Sequence, residues 1–149
     1  MTEEQKNEYH NMVDQNIKTY GYHMTFVFDD KSPSFCYSTG IYRNFKIPEL
    51  FISSLPQNLS FSLIKEYVDT FKDGDTIPLK SKIDYLTDRF PIYLIEVSNS
   101  RLFDYVLSSK RFYKGDEFKY LQLIYPDTKG YFPNQESYNY DQEIMGDFL

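Results

Sequence analysis

Between Pro56 and Asp73-Gly74 the apolar residues Phe61, Ile64, Val68 and Phe71 recur at helical spacing, whereas the flanking apolar runs, Leu50 to Leu55 and Ile92 to Val97, are short and unbroken. Periodic spacing of this kind marks one buried face of a helix, and a short continuous run closed by turn residues marks a strand covered on both sides. A chain that switches between these two periods can be neither a helical bundle nor a pure sandwich. The expectation is an α+β fold: a single domain over residues 1–149 with a mixed or mainly antiparallel sheet of about five strands and two to three helices.

The rest of the chain fills in that outline. Thr2-Glu3-Glu4-Gln5 has the spacing of a capping box, and Tyr9, Met12, Val13 and Ile17 follow at helical intervals up to Gly21, which predicts an N-terminal helix over about residues 2–19. His23 to Phe28 and Ser34 to Tyr42 read as antiparallel strands around the turn Asp29-Asp30-Lys31-Ser32-Pro33. Leu102, Tyr105, Val106 and Ser109 allow a short helix, and Phe118 to Tyr125 predicts a strand with both faces at least partly covered. Residues 134–149 lack periodicity and read as an irregular tail.

With 149 residues, 41% hydrophobic and 26% charged, the chain has the composition of a domain that folds unaided. Its net charge of -6 repels phosphate backbones, and the only adjacent basic pair is Lys110-Arg111, so no nucleic-acid partner is expected. Cys36 is the sole cysteine, which excludes an intramolecular disulfide and a cysteine-based metal site. The acidic N-terminus lacks a secretory signal, and no stretch approaches the ~18 apolar residues of a membrane span, so a cytoplasmic location and no membrane partner are expected. Aromatic residues reach 19% while Trp and Ala are absent, a bias that AT-rich codons and core-filling rings explain better than a stacking surface does.

The chain carries few signatures of a reaction. The six glycines are isolated, which excludes a phosphate-cradling loop, and no serine nucleophile elbow occurs. Cys36 in an apolar strand reads as inert core. Neither a metal nor a cofactor is implied. His23 stands at a strand start, Glu49 follows Pro48 at another, and Asp127 sits in Tyr125-Pro126-Asp127-Thr128-Lys129-Gly130, where capping of turn amides would account for it. Gln122 is an amide in an apolar strand and must find partners if buried.

Several segments together resemble the bacterial family called domain of unknown function 4262. The likeness is carried by Gly21-Tyr22-His23, by Pro33-x-Phe35-x-Tyr37-Ser38-x-Gly40-Ile41, by Pro48-Glu49-Leu50 and by Leu55-Pro56. It continues in Phe112-Tyr113-x-Gly115 and in Gln122-Leu123-Ile124-Tyr125-Pro126-Asp127-x-x-Gly130-x-Phe132-Pro133, so that the family-like core spans about residues 17–133. The chain departs from the pattern at Ile47, where a histidine is common, at Ser54, where glycine is common, and at Tyr125 and Asn134, where tryptophans occur. The resemblance implies a small bacterial or phage-borne cytoplasmic domain and no particular activity.

The preferred expectation is a binding module for a small molecule or a partner peptide, existing as a monomer or homodimer, with His23, Tyr37, Gly40, Glu49, Gln122 and Asp127 around one concave site. One alternative is a metal-independent hydrolase using His23 as base, oriented by Glu49 or Asp127. The other is a protein-interaction component of a bacterial or phage conflict system. No residue is assigned a catalytic role.

Overall fold

In a computed structural model, which describes residues 1–148, nine elements follow one another: α1 (Glu3–Tyr20), β1 (His23–Asp29), β2 (Ser32–Thr39), α2 (Ile41–Phe45), β3 (Glu49–Ser53), α3 (Gln57–Phe71), β4 (Tyr93–Val97), α4 (Leu107–Tyr113) and β5 (Tyr120–Ile124). The five strands form one sheet in the order β1-β2-β3-β5-β4. The pair β3 and β5 is parallel, and the other neighbours are antiparallel. The molecule is thus an α+β single domain with a mixed sheet.

The helices form where local chemistry favours them. In α1 the Thr2 hydroxyl accepts from Gln5 N at 3.1 Å while the Gln5 side chain accepts from Thr2 N at 2.8 Å, which satisfies two donors that a helix start leaves free. Of the expected stripe only Val13 and Ile17 are buried, and Met12 is exposed. The face of α3 is broader than the sequence pattern indicates, because Leu63 and Tyr67 are buried along with Ile64, Val68 and Phe71, whereas Phe61 is only half-buried. The Tyr67 hydroxyl donates to Pro48 O at 2.8 Å, so a polar tip is satisfied inside an apolar face.

Two elements differ from the sequence expectation for identifiable reasons. β2 ends at Thr39 rather than Tyr42 because Gly40 adopts φ +105, and the chain turns at once into the short α2, which brings the helices to four. A side chain at Gly40 would also place its Cβ 2.9 Å from Ile17 and 3.1 Å from Gly21 O, so only glycine permits this turn beside α1. Residues 98–105 form turns closed by bonds such as Arg101 N to Ser98 O and Tyr105 N to Leu102 O, and the last helix starts only at Leu107. Leu102 and Val106 are buried as expected, but from those turns and not from a helix.

Both faces of the sheet are covered. On one, Cys36, Leu50, Ile52, Leu94, Leu121 and Leu123 pack with the buried side of α3. On the other, Tyr37, Phe51, Val97 and Tyr120 join Leu102 and Val106, and Ile95 and Ile124 join Phe132. Among the described residues no helix is long and apolar enough to cross a membrane.

Candidate functional site

Residues directly opposite one another on paired strands project from the same sheet face. The register aligns Thr25 with Tyr37, Tyr37 with Phe51, Phe51 with Gln122 and Gln122 with Ile95, forming one row across all five strands. Glu49 and Tyr120 are paired in the next row, and His23 is paired with Thr39. His23, Tyr37, Glu49 and Gln122 therefore share the face away from α3. Their immediate surroundings differ.

Glu49 is fully buried and its carboxylate accepts from five donors. Ser38 Oγ and Ile41 N reach Oε1 at 2.7 and 3.2 Å, Gly40 N and Tyr42 N reach Oε2 at 2.9 and 3.1 Å, and the Tyr113 hydroxyl also donates to Oε2. Burial pushes the Glu49 carboxyl above its ordinary range, and the hydrogen bonds from Tyr113, Ser38, Tyr42 and Gly40 offset only part of that rise. Tyr113 is itself raised by burial and by the neighbouring carboxylate, so it keeps the proton that it donates. Next to this cluster Thr39 and Ser109 share a bond of 2.7 Å, Ser109 and Tyr120 one of 2.8 Å, and Tyr120 donates to Ser38 O at 2.6 Å. With no exposed surface and its oxygens occupied, Glu49 joins α2, β2 and α4 rather than facing a substrate.

Of the six expected site residues, only Gly40 and Glu49 are bonded to each other. Nδ1 of His23 lies 3.1 Å from the Asn16 side-chain amide, and burial lowers its pKa. Neither Glu49 nor Asp127 is its hydrogen-bond partner. The Tyr37 hydroxyl accepts from Ser108 N at 3.0 Å. Gln122 donates to Glu143 O and accepts from Met145 N, each at 2.7 Å, which ties it to the C-terminal segment. Asp127 accepts from the N–H groups of Lys129, Tyr131 and Asn139, each at 2.9 Å, and caps its turn. Cys36 lies on the opposite face, where burial pushes its thiol up to about 12.

A cavity of about 520 Å³ lies between α1, the start of α4 and the strands β1 and β2. Val27, Phe35, Tyr37 and Tyr105 supply apolar surface, with Phe35 stacked on Tyr37 at 6.2 Å and meeting Tyr105 edge-on at 5.1 Å. Lys6, His10 and Arg111 add polar groups to its wall. Two wall residues carry buried polar atoms without a hydrogen-bond partner: Thr25 Oγ1, which lies near the Tyr37 hydroxyl without bonding to it in standard geometry, and Arg111 Nε. The remaining Arg111 nitrogens hold Asp14 at 2.7 and 3.4 Å, which fixes the guanidinium against α1. Of this cavity's residues, sequence reasoning had singled out only Tyr37 as a site residue. Thr25 and Arg111 gave no site signal, since a strand threonine is ordinary and the single basic pair Lys110-Arg111 points to no ligand by itself.

Among the described residues no three His, Cys, Asp or Glu side chains group closely enough to hold a metal ion. No curated protein and no solved structure matches the chain. The family described as "Domain of unknown function (DUF4262)" matches residues 16–139, which include Gly40, Glu49, Tyr113, Gln122 and Asp127, and the chain belongs to that family.

Proposed function

We propose that the chain is a cytoplasmic binding module for a small molecule, and that its site is the cavity between α1, α4 and the strands β1 and β2. The supporting observation is the pair of unpartnered buried polar atoms, Thr25 Oγ1 and Arg111 Nε, on residues of one aromatic-walled cavity. Both atoms are shielded by the wall, and since an unsatisfied buried polar group costs roughly 1–3 kcal/mol, a ligand that turns the covering side chains aside and supplies a partner recovers that cost. Arg111 Nε can only donate, whereas the Thr25 hydroxyl can donate or accept. Phe35, Tyr37 and Tyr105 offer ring faces and edges. The matching ligand has a planar apolar body and at least one hydrogen-bond acceptor. A single buried thiol with no disulfide agrees with a reducing compartment.

The test is native mass spectrometry of protein purified from its own host. A bound small-molecule mass is expected, and its occupancy should fall about tenfold or more in Thr25→Val, the loss of one hydrogen bond. Because that substitution removes an unpartnered hydroxyl without changing shape, the melting temperature should hold or rise. A bound mass unaffected by both Thr25→Val and Phe35→Ala would place the ligand elsewhere and refute the assignment. So would the absence of any bound mass.

A further inference from the structure

Residues 139–148 contain no helix or strand, yet their main chain is held at alternate positions. Ser54 Oγ donates to Asp141 O at 2.8 Å. Ser53 Oγ accepts from Glu143 N at 3.0 Å and donates to Glu143 O at 2.8 Å. Gln122 donates to Glu143 O and accepts from Met145 N, and Arg101 donates to Met145 O at 3.1 Å. Contacts at 141, 143 and 145 repeat with the period of an extended strand. Here side chains of the sheet, Ser53 and Gln122, and of adjoining turns, Ser54 and Arg101, take the place of a neighbouring strand.

The side chains of this segment meet complementary surfaces. Ile144 and Phe148 pack on the cluster of Ile95, Ile124 and Phe132, with the Phe148 ring edge-on to Tyr93 at 5.0 Å. At Gly146 an added Cβ would stand 2.5 Å from Glu96 O and 2.9 Å from Ile95, so the backbone lies directly on β4. Ser53, Arg101 and Gln122 fall inside the family-matched span, and residues 140–148 fall outside it.

We infer that this face of the sheet is a peptide-binding groove for an extended partner segment, and that the chain's own C-terminal segment is its resident occupant. The polar contacts go to main-chain atoms, which any extended peptide supplies, as in recognition by strand addition. Selectivity comes from the apolar clusters and from the lack of room at Gly146. The partner segment therefore carries an aliphatic residue, then an apolar residue with a free N–H that packs as Met145 does on the cluster of Phe51, Val97 and Leu102, then glycine, and an aromatic residue two positions after the glycine. Proline is excluded at the positions of Glu143 and Met145, where an N–H must donate. Buried Gln122 and Ser53 also favour a groove that is always filled, since leaving both unpartnered would be costly.

The experiment uses a fluorescent peptide of residues 140–148 and the full-length chain. In the wild-type chain the resident segment competes at an effective concentration on the order of millimolar, so added peptide should bind weakly. Gly146→Val drives a side chain against Glu96 O and weakens the resident segment without altering the groove. Fluorescence anisotropy should then show peptide binding at least about tenfold tighter than to wild type. The same peptide with Met145→Pro should not bind, and Gln122→Ala added to Gly146→Val should lose at least about tenfold in affinity. Equal binding to wild type and Gly146→Val, or equal binding of the proline peptide, would overturn the inference. If Gly146→Val weakens the fold, peptide should raise its melting temperature, and failure to do so would overturn the inference as well.

Discussion

Tyr113 donates its phenolic proton to Glu49 across a separation of 64 residues, and with that bond α4 closes a ring of donors begun by β2 and α2. A carboxylate so enclosed is tolerated because its donors replace water, and removing one side of such an arrangement leaves the other uncompensated. Tyr113→Phe should destabilise the protein by about 1.5–3 kcal/mol, the usual range for a hydrogen bond to a charged group. Glu49→Gln should cost more, about 3 kcal/mol or above, because it turns an N–H donor toward other donors. Urea denaturation of both variants gives the comparison. A Glu49→Gln variant as stable as wild type would mean that the native carboxyl carries a proton.

The exposures along α3 rank its aromatic residues. Phe71 is 1% exposed and its truncation to Ala should cost about 3–5 kcal/mol, since the lost transfer energy and the cavity both count against the variant. Phe61 is only half-buried, and Phe61→Ala should cost clearly less. Equal losses would show that Phe61 is a full member of the core.

Cys36 is buried and its thiol is pushed up to about 12, so almost none is thiolate at pH 8. Alkylation of the native protein should be about 10³-fold slower than that of the denatured chain. Labelling at comparable rates would require the sheet to open frequently around β2.

The turn at Asp127 should show acid sensitivity. Burial of the carboxyl acts to raise its pKa, but the N–H groups of Tyr131, Asn139 and Lys129 and the Lys129 charge outweigh it and hold the group below the ordinary carboxylate range. A depressed acid stabilises the folded state above its unfolded pKa of about 3.9, and that contribution is lost as pH falls through the folded value. Denaturation midpoints at pH 5 should separate wild type from Asp127→Asn, and the gap should narrow as the pH falls toward 2. A gap that is constant with pH would assign the effect to geometry rather than charge.

The parts of this fold visible in the sequence are those whose signals are local. Thr2 and Gln5 identify a helix start, and Ile64, Val68 and Phe71 identify a buried face. Tyr67 was missed because a tyrosine inside an apolar face is apparent only once Pro48 O is seen to accept its hydroxyl. Glu49 could be flagged from Pro48-Glu49, but its role depends on Tyr113, and nothing near either residue announces a partner so far away. Gln122 was recognised as needing partners. They proved to be main-chain atoms of residues 143 and 145, which leave no trace in a side-chain pattern. The Thr25 and Arg111 cavity was unreadable for a further reason: an unpartnered atom is a property of packing and not of residue type.

The parallel pairing of β3 with β5 bears on how the chain reaches this structure. The strands β1, β2 and β3 are consecutive in sequence and pair as neighbours, but β3 finds its other neighbour only after α3, β4 and α4 have been made. During synthesis an edge bearing Leu50 and Ile52 waits open while more than sixty residues emerge, and closing so long a loop is a slow step. An unpaired apolar edge of that kind is a template for intermolecular association. The interval before β5 arrives is therefore a window for association, and substitutions that leave equilibrium stability untouched but lengthen it would be expected to reduce the amount of folded protein.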